Sequence, residues 1–96
     1  MPALTVELSG GLELLFANRK SFPVALPGAR APMRAVIAHV RDNLLVERAE
    51  LFAAGDGVRA GILVLINDVD WELDGALDAD VGDGDVVLFI STLHGG

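Results

Sequence analysis

The sequence predicts a single α+β domain in which one helix packs on one face of a β-sheet. A chain of 96 residues falls within the usual size of one domain, and 52% of its residues are apolar, enough to fill a modest core. Apolar residues recur at helical spacing in one segment, and elsewhere they alternate or form short runs typical of strands. Because one helix covers only one face of a sheet, two layers are expected.

The first third of the chain predicts strands joined by turns. Residues 4–8 alternate apolar and polar side chains, a period of two that indicates a half-buried strand. Residues 11–16 are ambiguous between a second strand and a short helical turn. Residues 22–26 are expected to form another strand, with Pro23 at its start or on an edge of the sheet.

The clearest helix is expected to begin at Pro32, a residue suited to the first helical position. Apolar residues then recur at helical spacing and form one stripe: Met33, Val36, Ile37, Val40 and Leu44. The helix is predicted to end near Leu45, and its stripe should pack on the sheet.

The C-terminal half predicts two strongly apolar strands separated by polar turns. Residues 50–61 are expected to be a connector, followed by a strand at 62–66, a short strand at 71–73 and a last strand at 86–90. The runs at 62–66 and 86–90 are continuously apolar, which predicts strands in the middle of the sheet with both faces covered. The domain is therefore expected to span 1–90, with 91–96 as a tail.

Composition excludes several classes of function. The formal net charge is −7, which disfavours direct contact with nucleic acid and with an anionic membrane. The absence of cysteine excludes disulfides, thiolate metal sites and a cysteine nucleophile. The first residues do not resemble a secretory signal, and no apolar run is long enough to span a bilayer, so a cytoplasmic protein is expected.

No catalytic, cofactor or metal site is predicted. Asp78, Asp80, Asp83 and Asp85 suggest calcium, but the glycine and glutamate that a calcium loop needs at its sixth and twelfth positions are replaced by Asp83 and Phe89. No nucleophile motif surrounds a serine, and no glycine-rich phosphate loop is present.

The sequence ends in Gly95 and Gly96, which follow the last predicted strand closely. A frayed glycine end is the ordinary interpretation of such a pair. A Gly-Gly end can also enter a narrow channel, because it has no side chains, and present its carboxylate to the nucleotide site of another enzyme. The carboxylate, once activated as an acyl-adenylate, can accept sulfur or an amine.

Four segments of the chain resemble the ubiquitin-related modifier family. They are GGLELLF at 10–16, GILVLIND at 61–68, DWEL at 70–73 and STLHGG at 91–96. The resemblance extends in register from Val6 to Gly96. It implies a β-grasp fold, a mixed sheet with one main helix on one face.

The resemblance implies that Gly96 is the functional residue. Its carboxylate would be adenylated with ATP and magnesium by a ubiquitin-activating-like enzyme with a rhodanese domain, and then converted to a thiocarboxylate. The thiocarboxylate would supply a tRNA thiolase complex with sulfur for 2-thiolation of the wobble uridine. The same carboxyl group would form isopeptide bonds with lysines of target proteins. The recognition tail for the activating enzyme would comprise Thr92, Leu93, His94 and Gly95. The chain itself would be a monomer that binds no cofactor.

Two other functions fit a β-grasp domain with a Gly-Gly end. One is a sulfur carrier dedicated to molybdopterin or thiamine biosynthesis, although the segments at 70–73 and 93–96 favour the ubiquitin-related modifiers. The other is an interaction module whose tail takes no part in its function. Such a module would tolerate loss of Gly96.

Overall fold

The computed structural model describes residues 3–46 and 48–91, in which a mixed β-sheet lies against one α-helix. The strands are β1 (Ala3–Ser9), β2 (Ser21–Ala25), β3 (Arg30–Pro32), β4 (Ala53–Ala54), β5 (Gly57–Val58), β6 (Ile62–Ile66), β7 (Val69–Asp70), β8 (Asp80–Gly82) and β9 (Val86–Ser91). The α-helix, α1, is Met33–Asn43, and short 3₁₀ helices are Leu12–Phe16, Ala49–Leu51, Trp71–Asp74 and Ala76–Asp78.

The main sheet has the strand order β2-β1-β9-β6-β7. Strand β9 pairs in parallel with β1 and antiparallel with β6, so the last described strand occupies the centre, as predicted. Strand β2 is at one edge, which suits Pro23 because proline cannot donate a ladder hydrogen bond. One helix on one face of this mixed sheet is the β-grasp arrangement that the family resemblance implies.

One continuous core lies between the sheet and α1. Alternate residues of the central strands face it, and the helix contributes its predicted stripe. The buried members from these elements are Leu4, Val6, Leu8, Val64, Ile66, Val87 and Phe89 from the strands and Met33, Val36, Ile37 and Val40 from the helix. Leu44, the last residue of the predicted stripe, is only partly buried against this core.

Three phenylalanines connect the sheet to the loop beyond the helix. The ring of Phe52 contacts those of Phe16 and Phe89 edge-on, with centroids 5.4 and 5.3 Å away. Edge-to-face contacts at this separation add to the stabilisation that burial provides. Phe52 lies in the predicted connector at 50–61, so its ring joins that segment to the central strand β9.

The helix boundaries differ slightly from the prediction. Pro32 lies at the N-cap in an extended conformation, so α1 begins one residue later, at Met33, whose N–H donates to the carbonyl of Ala79. At the other end the N–H groups of Leu44 and Leu45 both donate to the carbonyl of Val40. The last turn is thus closed at the predicted position, although the regular helix ends at Asn43.

One local prediction was wrong, one was incomplete, and one ambiguity is resolved. Residues 71–73 were predicted as a strand but form a 3₁₀ helix, because the Asp70 carboxylate accepts the N–H of Glu72 and caps a helical turn. The connector at 50–61 contains the short hairpin β4–β5 around its predicted turn. Residues 11–16 adopt the helical alternative, with a 3₁₀ helix from Leu12 to Phe16.

A small polar network fixes the start of β9. The Asp85 carboxylate accepts hydrogen bonds from the N–H of Gly82 and the side-chain amide of Asn67. The Asn67 amide oxygen in turn accepts the N–H of Val86. Partial burial opposes ionisation of Asp85, but these hydrogen bonds outweigh it and lower the pKa of its carboxyl below the usual range.

Candidate functional site

The candidate site is the end of β9, from which the predicted tail leaves the sheet. Ser91 is the last residue of this strand and pairs with Ile62 of β6, while Ile90 pairs with Ser9 of β1. The strand thus extends one residue beyond the predicted end at 90. The predicted site residues Thr92, Leu93, His94, Gly95 and Gly96 lie outside the described residues.

The backbone of Gly10 lies directly against that of Ser91. A Cβ atom built on Gly10 would be 2.3 Å from the carbonyl oxygen of Ser91 and 3.0 Å from its nitrogen. Gly10 also has a φ of +72°, in the left-handed region that favours glycine. The turn after β1 can therefore approach the end of β9 this closely only with a glycine at position 10.

We expect Gly10→Ala to destabilise the protein more than Gly11→Ala. Both glycines have positive φ, at which alanine costs about 1–2 kcal/mol. Only at Gly10 does the new methyl also collide with backbone, which adds about 1–3 kcal/mol, because a Cβ on Gly11 meets nothing within 4 Å. Urea denaturation of the two variants measures the difference. Equal midpoints would show that the contact with Ser91 does not constrain the strand end.

The outer face of the sheet carries an apolar patch beside the strand end. Leu63 pairs with Ile90, and Leu65 pairs with Leu88, so the four side chains form adjacent cross-strand pairs. We call these four residues the outer patch. Leu63 is 37% exposed and the other three are half-buried.

The outer patch corrects the prediction that the strands at 62–66 and 86–90 are covered on both faces. The inner residues Val64, Val87 and Phe89 are buried, whereas the outer patch keeps part of its surface in water. Exposed apolar patches on a sheet occur at sites of contact with other proteins. The continuous apolar runs do not distinguish a face covered within the domain from a face left for a partner.

The four aspartates of the acidic segment have separate partners and do not converge. Asp78 pairs with Arg34, and Asp80 pairs with Arg30 at 3.8 Å between Nε and Oδ2. The Asp83 carboxylate accepts the N–H of Ala3 on β1. In residues 3–46 and 48–91 no group of three or more acidic or histidine side chains is arranged to hold a metal ion.

Charged side chains with displaced pKa values belong to surface pairs and turns. The Arg41 guanidinium donates two hydrogen bonds to the neighbouring Asp42 carboxylate, which lowers the pKa of Asp42. The pKa of Glu50 is lowered by a hydrogen bond from its own backbone and by one from Arg48. Among the described residues, polar and charged side chains are not buried, so they provide no enclosed acid or base.

Comparison with known proteins decides the family. The family model Urm1 (Ubiquitin related modifier) matches residues 3–96. The chain belongs to the ubiquitin-related modifier family. It is 56% identical over 99 residues to the ubiquitin-related modifier 1 homolog of Chlamydomonas reinhardtii, covering 100% of both chains. It is 56% identical over 96 residues to ubiquitin-related modifier 1 of Homo sapiens, covering 98% of this chain and 95% of that protein.

The solved structures agree with this family. The solution structure of Urm1 from Trypanosoma brucei superimposes with a TM-score of 0.83 at 39% identity, covering 99% of this chain and 96% of that one. The β-grasp fold is therefore confirmed. As a ubiquitin-related modifier of a sulfur-carrier family, the protein is acted on by activating enzymes and is not itself a catalyst. None of the helices within residues 3–46 and 48–91 has the length and hydrophobicity needed to cross a bilayer.

Proposed function

We propose that this modifier carries sulfur on the carboxyl group of Gly96 for 2-thiolation of the wobble uridine in tRNA. The same carboxyl group forms isopeptide bonds with lysines of target proteins. The observation that supports this most is the position of Ser91, which ends the central strand of the sheet five residues before Gly96. A glycine-ended segment at that point can extend away from the folded domain and enter an enzyme.

The chemistry takes place in three steps on Gly96. A carboxylate oxygen attacks the α-phosphorus of ATP, pyrophosphate leaves, and an acyl-adenylate forms, with magnesium held by the activating enzyme. A cysteine persulfide of the rhodanese domain then attacks the acyl carbon, AMP leaves, and an acyl disulfide joins Gly96 to that cysteine. A second thiol of the activating enzyme attacks the cysteine sulfur, forms a disulfide with it and releases the thiocarboxylate of Gly96. The net change is one carboxyl oxygen replaced by sulfur. In conjugation, the ε-amine of a lysine attacks the same activated carbon.

The part of the modifier in this chemistry is to be recognised by the activating enzyme. Thr92, Leu93, His94 and Gly95 form the tail that the channel of the activating enzyme recognises. The outer patch lies on the strands next to the tail, since Ile90 directly precedes Ser91. Apolar surface beside the tail is a suitable contact for the body of the enzyme while the tail enters its active site.

The acidity of the chain fits a cytoplasmic, monomeric carrier that leaves RNA binding to other proteins. A net charge of −7 repels the phosphates of tRNA, so the thiolase complex makes the contact with tRNA. The same charge favours docking on basic protein surfaces. Lys20 is the one lysine of the chain, so conjugation of one copy to another has a single acceptor.

The function is tested by reconstituting tRNA thiolation. The chain is incubated with its activating enzyme, ATP, magnesium, a sulfur donor, the thiolase complex and unmodified tRNA, and 2-thiouridine is measured by mass spectrometry of the nucleosides. We expect thiolation with the wild-type chain and a loss of about 10-fold or more with Leu93→Asp, which places a charge in an apolar contact.

Leu73→Asp is the matched control, because Leu73 is 79% exposed and lies on the 3₁₀ helix Trp71–Asp74. The Leu73→Asp variant should support thiolation of tRNA to the same level as the wild-type chain. Equal activity of Leu93→Asp and the wild type would contradict the role of the tail. A thiocarboxylated chain that supplies no sulfur to tRNA would instead favour a carrier for molybdopterin or thiamine synthesis.

A further inference from the structure

A surface pocket of about 380 Å³ opens where β9 ends. Its wall is formed by Leu12, Leu14, Leu51, Arg59, Ile62 and Ser91. These residues come from three separate parts of the chain that meet at one end of the sheet. The volume is within the range of pockets that bind small molecules or side chains.

The pocket is apolar inside and has an exposed leucine in its wall. Leu12 is buried and Leu51 and Ile62 are half-buried, whereas Leu14 is 63% exposed. A single exposed leucine on a surface is ordinary. Here Leu14 adjoins an apolar concavity, so a partner that fills the pocket also removes the Leu14 side chain from water.

The position of the pocket limits what can cover it when the modifier is activated. Five residues follow Ser91, and five extended residues span at most about 18 Å. An enzyme that encloses the Gly96 carboxylate must therefore approach within that distance of Ser91, which itself lines the pocket. The pocket therefore lies within reach of the enzyme surface that surrounds the tail channel.

Charge suggests the chemical character of the occupant. The chain is strongly acidic overall, yet the pocket wall contains the guanidinium-bearing Arg59. A partner with a basic surface would complement most of this acidic chain. At this pocket, the complementary groups are an apolar side chain and a neighbouring carboxylate. Arginine at the edge of an apolar pocket is a favourable interface residue, since it can bind a carboxylate in bidentate fashion.

The geometry points to this pocket as a docking site for the activating enzyme, which inserts one apolar side chain and places a neighbouring carboxylate against Arg59. This inference rests on the proposed function, because it requires an enzyme that takes up the tail. The pocket is separate from the outer patch, which lies on the solvent-facing side of β6 and β9. The enzyme accordingly contacts the modifier on two sides of the tail.

The test measures affinity and adenylation separately. Binding of the full chain to the activating enzyme is measured by calorimetry without ATP, and adenylation by ATP–pyrophosphate exchange. We expect Leu14→Glu to raise both Kd and KM by about 10-fold or more, the effect of removing an apolar anchor, with kcat unchanged. Arg59→Gln should raise Kd by about 3- to 10-fold. Leu73→Glu, with the same change on an exposed leucine elsewhere, should bind as the wild type does.

Each alternative occupant has its own outcome. Wild-type affinity in Leu14→Glu would overturn the proposal, as would an equal loss in Leu73→Glu, which would indicate a general charge effect. Nuclear Overhauser contacts between Leu93 and Leu14 in the free chain would assign the pocket to the chain's own tail. A dimer that Leu14→Glu dissociates would assign it to a second copy. A wild-type chain that binds the enzyme through Leu14 but is not adenylated would contradict the proposed function and leave the docking site standing.

Discussion

Deletion of Gly96 is expected to reduce adenylation by the activating enzyme to background. The deletion shortens the tail by one residue, about 3.5 Å when extended, so the carboxylate of Gly95 stops short of the α-phosphate of ATP. Displacement of a reacting atom by even 1 Å can lower a rate by about 100-fold. ATP–pyrophosphate exchange measures this loss directly.

A substitution and a control variant separate the effect of tail length from the effect of side-chain size in this experiment. Gly96→Ala keeps the length and the carboxylate but adds a methyl group, which we expect to lower exchange by about 10- to 100-fold through obstruction of a narrow channel. Gly57→Ala is the control, since Gly57 lies outside the left-handed region and a Cβ there would come no closer than 3.5 Å to Leu77. Full exchange by the Gly96 deletion would exclude Gly96 as the activated residue.

Replacement of Phe52 by alanine is expected to destabilise the fold by about 3–5 kcal/mol, the usual range for a fully buried phenylalanine. Phe52 is 0% exposed and its ring contacts both Phe16 and Phe89 edge-on. The loss is a large part of the about 5–15 kcal/mol that stabilises a typical domain. Thermal or urea denaturation measures it.

Phe52→Leu is the conservative comparison. It retains most of the buried volume and loses the two aromatic contacts, so it should destabilise by less than half as much as Phe52→Ala. Leu73→Ala, on an exposed side chain, should change stability by no more than about 0.5 kcal/mol. A Phe52→Ala variant as stable as the wild type would show that the aromatic cluster does not hold the connector to the sheet.

Periodicity was sufficient to predict the elements that face the core. The alternation of Leu4, Val6 and Leu8 predicted β1, and the helical stripe from Met33 predicted α1, because each pattern records a single buried face. The central position of β9 followed from its high hydrophobicity. These features depend on side chains close in sequence.

Features that are too short for a periodic pattern, or that depend on neighbours distant in sequence, were not predicted. The segment at 71–73 is too short for periodicity to separate a strand from a turn, and the cap from Asp70 decides the outcome. The continuous runs of β6 and β9 contain no period of two, so the exposure of the outer patch could not be derived from them.

The candidate site was predictable only in part. The tail was identified by its Gly-Gly pair and by resemblance to the family, and its residues 92–96 stay a prediction. The contact between Gly10 and Ser91 joins positions far apart in the chain, and the pocket beside it draws on three separate segments. Only the glycine pair at 10–11 gave a local signal of an unusual turn there.

The central claim is that Gly96 carries sulfur, and intact-mass measurement tests it most directly. The intact mass of the purified chain is measured by mass spectrometry before and after incubation with its activating enzyme, ATP, magnesium and a sulfur donor. We predict a mass gain equal to one oxygen replaced by sulfur, which is absent when Gly96 is deleted. An unchanged mass with an enzyme shown to be active on another carrier would contradict the claim and favour an interaction module with an inert tail.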